Sequence, residues 1–306
     1  MRTEDVEFWS GGSRIRAWWR SPDVATEPIP AVVQGPGYFG LKDAKAYEQH
    51  QRLLTDAGFG VLAIDYRGFG DSEGERGFLS PSNQLEDLVN AVTYLTTRAD
   101  TNASAIGAYG GGGTGGGNAI MLAASDPRIR AVVSQVPVAD GRDWLHRMRS
   151  EYDWIEYLKA LSEDRKTRVL TGRGRMVTIR GGLMVETEER RQFGNKADVD
   201  SRMPAEVPLA IADAILTYRP IDYAPHVRVP LMVVAVENDA TVPTDHAIRL
   251  YEAAKGPKKL LIQRGTSHYK AYRDYGDAVI PEIVNWFSEH LHPLDDIVRF
   301  VDRGEV

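Results

Sequence analysis

Tyr109-Gly110-Gly111-Gly112-Gly113-Thr114-Gly115-Gly116-Gly117 decides how the rest of the chain is read. A short apolar run, Ala105-Ile106-Gly107-Ala108-Tyr109, leads into it, and Asn118-Ala119-Ile120-Met121-Leu122-Ala123-Ala124 leads out of it with helical character. Strand, tight glycine turn and helix are the layout of a nucleophile elbow, in which G-x-S-x-G lifts a serine above a sheet. Counting from the strand puts Gly112 in the serine slot, with Thr114 in place of the motif's last glycine. The strict motif spacing moves the slot to Gly113 at the expense of one more strand residue. In either register the usual nucleophile is missing.

Other glycine motifs fit less well. Gly110-x-Gly112-x-x-Gly115 satisfies the dinucleotide fingerprint, which also wants an acidic residue closing the next strand about 20 positions later. That strand, Ala131-Val132-Val133-Ser134-Gln135-Val136, runs into Pro137 with no acid. A phosphate loop needs Lys-Ser/Thr after its last glycine, and Gly115-Gly116 has neither. A purely structural turn is the remaining alternative, and the rest of the chain decides against it.

The 306 residues exceed one ordinary compact core, which predicts one α/β domain with an insertion, or two domains. A net charge of −6 argues against nucleic acid or an anionic membrane as partner. With no cysteine there is no disulfide, thiolate nucleophile or cysteine metal site. The charged start, Met1 to Glu7, has no apolar core of signal-peptide length, and no stretch approaches the ~18 apolar residues of a membrane span. A cytoplasmic enzyme is the expectation.

Residues 6–9 and 14–20 predict a hairpin across Gly11-Gly12, and Ala31-Val32-Val33-Gln34 a buried strand opening into the glycine-rich loop Gly35–Gly40. Helices follow at 44–57 and 82–98 on either side of strand 60–65, then strand 104–109, the turn, its helix and strand 131–136. From Pro137 the rhythm breaks. A helix over 141–163, an irregular charged stretch over 164–205 and a helix over 206–217 are expected before strand 231–236. Helix 243–254, strand 259–264, helix 276–291 and a polar tail over 293–306 complete the chain. Strands alternating with long helices predict a mostly parallel, doubly wound sheet. An insertion of about 85 residues predicts a helical cap subdomain, 138–222, on a core of 1–137 and 223–306.

Strand 231–236 ends in Glu237-Asn238-Asp239-Ala240-Thr241-Val242-Pro243, and strand 259–264 in Gly265-Thr266-Ser267-His268-Tyr269. Both loops open at the carboxyl edge of a parallel sheet, with the glycine turn and Gly35–Gly40. The order turn, acid, histidine is that of a hydrolase triad. Over about residues 30–137 and 225–292 the chain resembles an α/β-hydrolase of the bacterial serine-hydrolase type with an inserted cap. The resemblance is most specific at Gly40-Leu41-Lys42-Asp43, Asp65–Gly74, Glu237–Pro243 and Gly265–His268. It implies the α/β-hydrolase fold, Asp239 as the acid, His268 as the base, and the amides of Tyr38 and Gly113 as the oxyanion hole. The nucleophile position falls on Gly112, and the family's usual His-Gly in the first loop reads Pro36-Gly37. Thr114 lies in the first helical turn, and neither it nor Ser72 nor Ser267 has a case as a substitute.

A carboxylate-oriented imidazole remains a general base without a serine. The expected activity is His-Asp catalysis on a small, apolar carbonyl substrate (ester, amide or β-dicarbonyl) with a backbone oxyanion hole. The alternatives are a lyase or C–C cleaving or rearranging enzyme with the same dyad, a serine hydrolase whose serine was exchanged for glycine, and a non-catalytic binder. Trp144, Trp154 and Tyr157 are candidates for the pocket wall, or for packing of the cap. The remaining histidines show no metal-ligand spacing, so no metal or cofactor is implied. The partner expected is a small-molecule substrate, not nucleic acid or membrane, with a homodimer left open.

Overall fold

The computed structural model describes residues 1–192 and 200–291. The expected tail over 293–306 lies outside these residues. The architecture is the α/β-hydrolase fold: a mostly parallel sheet with helices on both faces. Its eight strands are β1 (Arg2–Ser10), β2 (Ser13–Ser21), β3 (Ile29–Gly35), β4 (Gly60–Ile64), β5 (Thr101–Gly111), β6 (Ile129–Gln135), β9 (Leu231–Val236) and β10 (Lys258–Gln263). They lie in the order β1-β2-β4-β3-β5-β6-β9-β10. Within this sheet, among the described residues, only the β1–β2 and β2–β4 pairings are antiparallel. The opening hairpin turns at Gly11-Gly12, both at positive φ, as the turn chemistry predicts.

Alternation along the central strands feeds two cores. Ala31 and Val33 of β3 and Val233 and Ala235 of β9 pack with α2 (Pro81–Thr97) and α3 (Gly113–Ser125) on one face. Val32, Met232 and Val234 pack on the other with α1 (Lys45–Asp56) and the last helix, Gly276–Leu291, through Leu54, Ile283 and Phe287. Burial on both faces explains why these strands read as unbroken apolar runs.

Between β6 and β9 the chain departs from its expected elements, and the stretch expected to be irregular holds the end of a helix to Thr171, a strand at Met176–Thr178 and a short helix at Glu188–Gln192. The helix expected over 141–163 is two helices, α4 (Gly141–Arg147) and α5 (Glu151–Thr171). The break is at Ser150, whose hydroxyl accepts the Asp153 N–H at 3.2 Å as a cap. The helix expected over 206–217 is confined to Ile211–Leu216, because Glu206–Pro208 (β8) pairs with Met176–Thr178 (β7). That pairing is non-local, and Pro208 cannot supply a helical N–H. The insertion is tied to the core at several points. The Tyr218 hydroxyl sits between Thr114 O (3.0 Å) and Asn118 Oδ1 (2.9 Å), and Trp144 Nε1–H donates to Thr241 O (2.8 Å). Among the described residues no helix is long and apolar enough to cross a membrane.

Most of the glycine run is fixed by close approach. A Cβ on Gly110 would fall 1.9 Å from Gly115 O, and one on Gly115 would fall 2.8 Å from Pro36 O. Backbone cannot yield there as a flexible side chain would. Gly110→Ala is therefore expected to lower stability by about 3 kcal/mol. Urea unfolding followed by circular dichroism checks this, and an unchanged midpoint would contradict it.

Candidate active site

The chain runs from β3 to β4 on one side and then crosses to β5 on the other. Loops leaving β3 and β5 therefore diverge and open a crevice at the carboxyl edge, the usual binding position in such sheets. Gly112 stands at the apex of the turn after β5 and before α3, with φ 76° and ψ 156°. Its N–H donates to Gln135 O (3.0 Å), and its carbonyl accepts from Gly116 N–H (2.8 Å). These angles belong to a region essentially reserved for glycine, where another residue costs about 1–3 kcal/mol. Space is a smaller constraint than conformation at this position. A Cβ would meet only Gly37 Cα at 3.3 Å and the Tyr272 hydroxyl at 3.8 Å.

The first loop is held against the turn by Tyr47 of α1. Gly37 N–H donates to the Tyr47 hydroxyl (2.9 Å), which in turn donates to Gly111 O (3.2 Å). Burial pushes the Tyr47 phenol up to about 12, so it stays protonated and keeps both bonds. A Cβ on Gly37 would fall 2.5 Å from Gly111 O. Only glycine permits this contact, which brings residue 38 alongside residues 112 and 113.

From the far side of the sheet come the acid and the histidine. The His268 Nδ1–H donates to Asp239 Oδ2 at 2.7 Å, and both side chains are buried. The other carboxylate oxygen accepts the N–H groups of Thr241 (2.6 Å) and Val242 (2.9 Å). The histidine loop is gripped by Glu189 of the insertion, which accepts from the Ser267 hydroxyl and from Tyr269 N–H (3.1 Å). Among the described residues three non-glycine residues have positive φ, Phe39, Val136 and Asn238. They follow β3, β6 and β9, so local backbone cost is concentrated along this one edge.

A cavity of about 630 Å³ spans these groups. Gly37, Gly112, Gly113, His268 and Tyr272 form part of its wall, with Phe39, Trp144, Ile179, Met184 and Val242 supplying apolar surface. Tyr38 also lines it. Trp154 and Tyr157, candidates for the same wall, lie away from it. Trp154 stacks between His146 and Tyr157, and the Tyr157 hydroxyl donates to Leu183 O (3.1 Å), so both pack the insertion internally. Thr114 is fully buried and is not on the wall. The Ser72 hydroxyl serves Asp65 O and Arg16 N–H. Asp143, Asp245 and His246 cluster, but His246 Nδ1 accepts from Ala139 N–H and Nε2–H donates to Asp143, so neither ring nitrogen is left for a metal. Tyr47, Glu189 and Tyr272 escaped sequence reading. The spacing of Tyr272, four residues after His268, was the one available signal.

Fold and site define a protein of the α/β-hydrolase superfamily. The chain belongs to the X-Pro dipeptidyl-peptidase (S15) family, whose model matches residues 11–270. It is 28% identical over 264 residues to an uncharacterised 31.7 kDa protein of Escherichia coli, covering 86% of this chain and 91% of the other. It is 26% identical over 305 residues to the polyketide transferase GrgF of a Penicillium species, covering 94% and 96%. The crystal structure of GrgF superposes with a TM-score of 0.79, covering 95% of this chain and 99% of that one at 22% identity. The structure of DcsB with a substrate analogue gives a TM-score of 0.82 at 19% identity, covering 95% and 99%. GrgF is described as an α/β-hydrolase, and this chain is a hydrolase-family enzyme.

Beneath the turn, His50 stacks on Tyr109 at 5.2 Å and donates Nδ1–H to Ala46 O (3.0 Å). Full burial holds its pKa down to about 4, against 6.5 for a free imidazole. The unfolded chain therefore binds the extra proton first. Stability contributed by neutral His50 is present above pH 6.5 and is lost as pH falls through 4. Denaturant unfolding at pH 7 and pH 4.5 is expected to show a flatter pH dependence for His50→Gln than for the parent. Equal slopes would contradict it.

Proposed function

We propose that the protein acts on an apolar carbonyl compound by general-base catalysis, with His268 as base, Asp239 as its orienting carboxylate and no side-chain nucleophile at position 112. The observation that carries this is the buried His268–Asp239 pair at 2.7 Å, opening on a cavity whose wall also holds Gly37, Gly112 and Gly113. With Nδ1 committed to Asp239, Nε2 is the nitrogen left for chemistry. Glycine at 112 leaves room beside it for a water molecule.

In the proposed reaction Nε2 removes a proton from water as the water oxygen attacks the carbonyl carbon. The carbonyl π electrons move to oxygen, and the amides of Tyr38 and Gly113 stabilise that charge. Each such donor contributes about 3 kcal/mol in serine enzymes. The imidazolium then returns its proton to the leaving group as the tetrahedral adduct collapses. Phe39, Trp144, Ile179, Met184 and Val242 select an apolar substrate and exclude bulk water. The name polyketide transferase, borne by one relative, points to chains of carbonyl units and supports this substrate class. The insertion serves as the cap that closes the pocket.

A panel of medium-chain esters, thioesters and β-diketones identifies the best substrate. On it, His268→Ala is expected to lower turnover by about 10²–10⁴-fold with little change in melting temperature. Asp239→Asn is expected to cost less, through tautomer and orientation. Full activity in folded His268→Ala would remove the base from the mechanism.

A further inference from the structure

Tyr272 belongs to a one-turn helix, Ala271–Asp274, directly after the histidine loop. Its ring meets His268 edge-on at 6.3 Å between centroids. Its hydroxyl lies 3.8 Å from where a Cβ on Gly112 would stand. A serine hydroxyl at 112 would project into the same small volume. The phenol oxygen is buried and makes no well-formed hydrogen bond among the described residues; its near polar contact is the Gly112 N–H. The nearby Gly112 amide gives its N–H to Gln135 O. Buried hydroxyls are normally satisfied, and a phenylalanine would fill this space without the desolvation cost. Burial, with Tyr47 and Asp239 close by, raises the phenol's pKa well above its ordinary value, so it stays protonated. It does not become a phenolate nucleophile in place of serine.

We propose that Tyr272 is a further catalytic residue, whose hydroxyl oxygen accepts a hydrogen bond from the attacking water while His268 takes that water's other proton. The inference rests on His268 being the base. With one water hydrogen on Nε2 and the other on the phenol oxygen, a lone pair is left to face the carbonyl carbon. Tyr272 keeps its own proton throughout, so the reaction balances as before: water adds, the leaving group departs protonated, and the imidazole is regenerated. The phenol supplies from the histidine side the positional control that a tethered serine oxygen would otherwise have.

The test uses trifluoromethyl hexyl ketone, whose hydrate mimics the water adduct, and methyl hexyl ketone, which stays unhydrated. Binding is followed by fluorine NMR and calorimetry on the whole protein. Tyr272→Phe is expected to bind the hydrate about tenfold more weakly while binding the methyl ketone within about twofold of the parent. His268→Ala is expected to weaken hydrate binding as well. If Tyr272→Phe binds the hydrate normally while His268→Ala does not, the role of Tyr272 is overturned and the base stands. If Tyr272→Phe weakens both ketones equally, the residue only packs, and the proposal is overturned. If the parent binds no hydrate, or neither variant weakens it, the proposal falls together with the base. A crystal structure of the parent with the hydrate needs no variant: a Tyr272 oxygen within about 3.5 Å of a hydrate oxygen supports the role, and a longer separation overturns it.

Discussion

The site depends on how closely two stretches of backbone approach at the carboxyl ends of β3 and β5. Gly37 lies so close to Gly111 O that any Cβ would sit at 2.5 Å, and Gly115 lies under Pro36 O at a comparable spacing. Side chains at these points would force the loops apart and separate residue 38 from residues 112 and 113. Tyr47 then secures the contact by bridging Gly37 N–H and Gly111 O. A crevice forms here because strand order reverses around β3, and it stays narrow because its walls are glycine.

Within that run Gly112 differs from most of the other glycines. Gly110, Gly115, Gly116 and Gly117 have atoms within 3 Å of any added Cβ, whereas Gly112 does not. Its restriction is conformational: the angles are ones that side-chain-bearing residues avoid. Other members of the same edge accept such cost without being glycine, namely Phe39, Val136 and Asn238. For Val136 the β-branch makes a positive φ especially unfavourable. Backbone cost gathered along the edge that holds His268 and Asp239 fits a region shaped for chemistry more than for stability.

Much of this was legible in the sequence. Apolar runs broken by helical stretches indicated the doubly wound sheet, because strands buried on both faces need no alternation. The positions of Asp239 and His268 after successive strands indicated that they share an edge, since parallel strands end on the same side. Trp154 and Tyr157 were harder to assign, because an aromatic residue in an insertion packs equally well inward or onto a pocket. They stack within the insertion, while Trp144 faces the cavity through its bond to Thr241 O. β8 was hidden because its partner, β7, is distant in sequence. Tyr272 was hidden for a related reason: spacing puts it one helical turn beyond His268, but only the fold aims its hydroxyl at Gly112.

In the proposed mechanism water, activated by His268, does directly what a serine does elsewhere by way of a covalent adduct. Intact-protein mass spectrometry on samples quenched during steady-state turnover of a medium-chain aryl thioester tests this most directly. Continued product release with the protein at its unmodified mass throughout is the expected result. A stoichiometric acyl adduct that appears and decays at the rate of turnover would contradict it, and its position in the chain would identify the nucleophile.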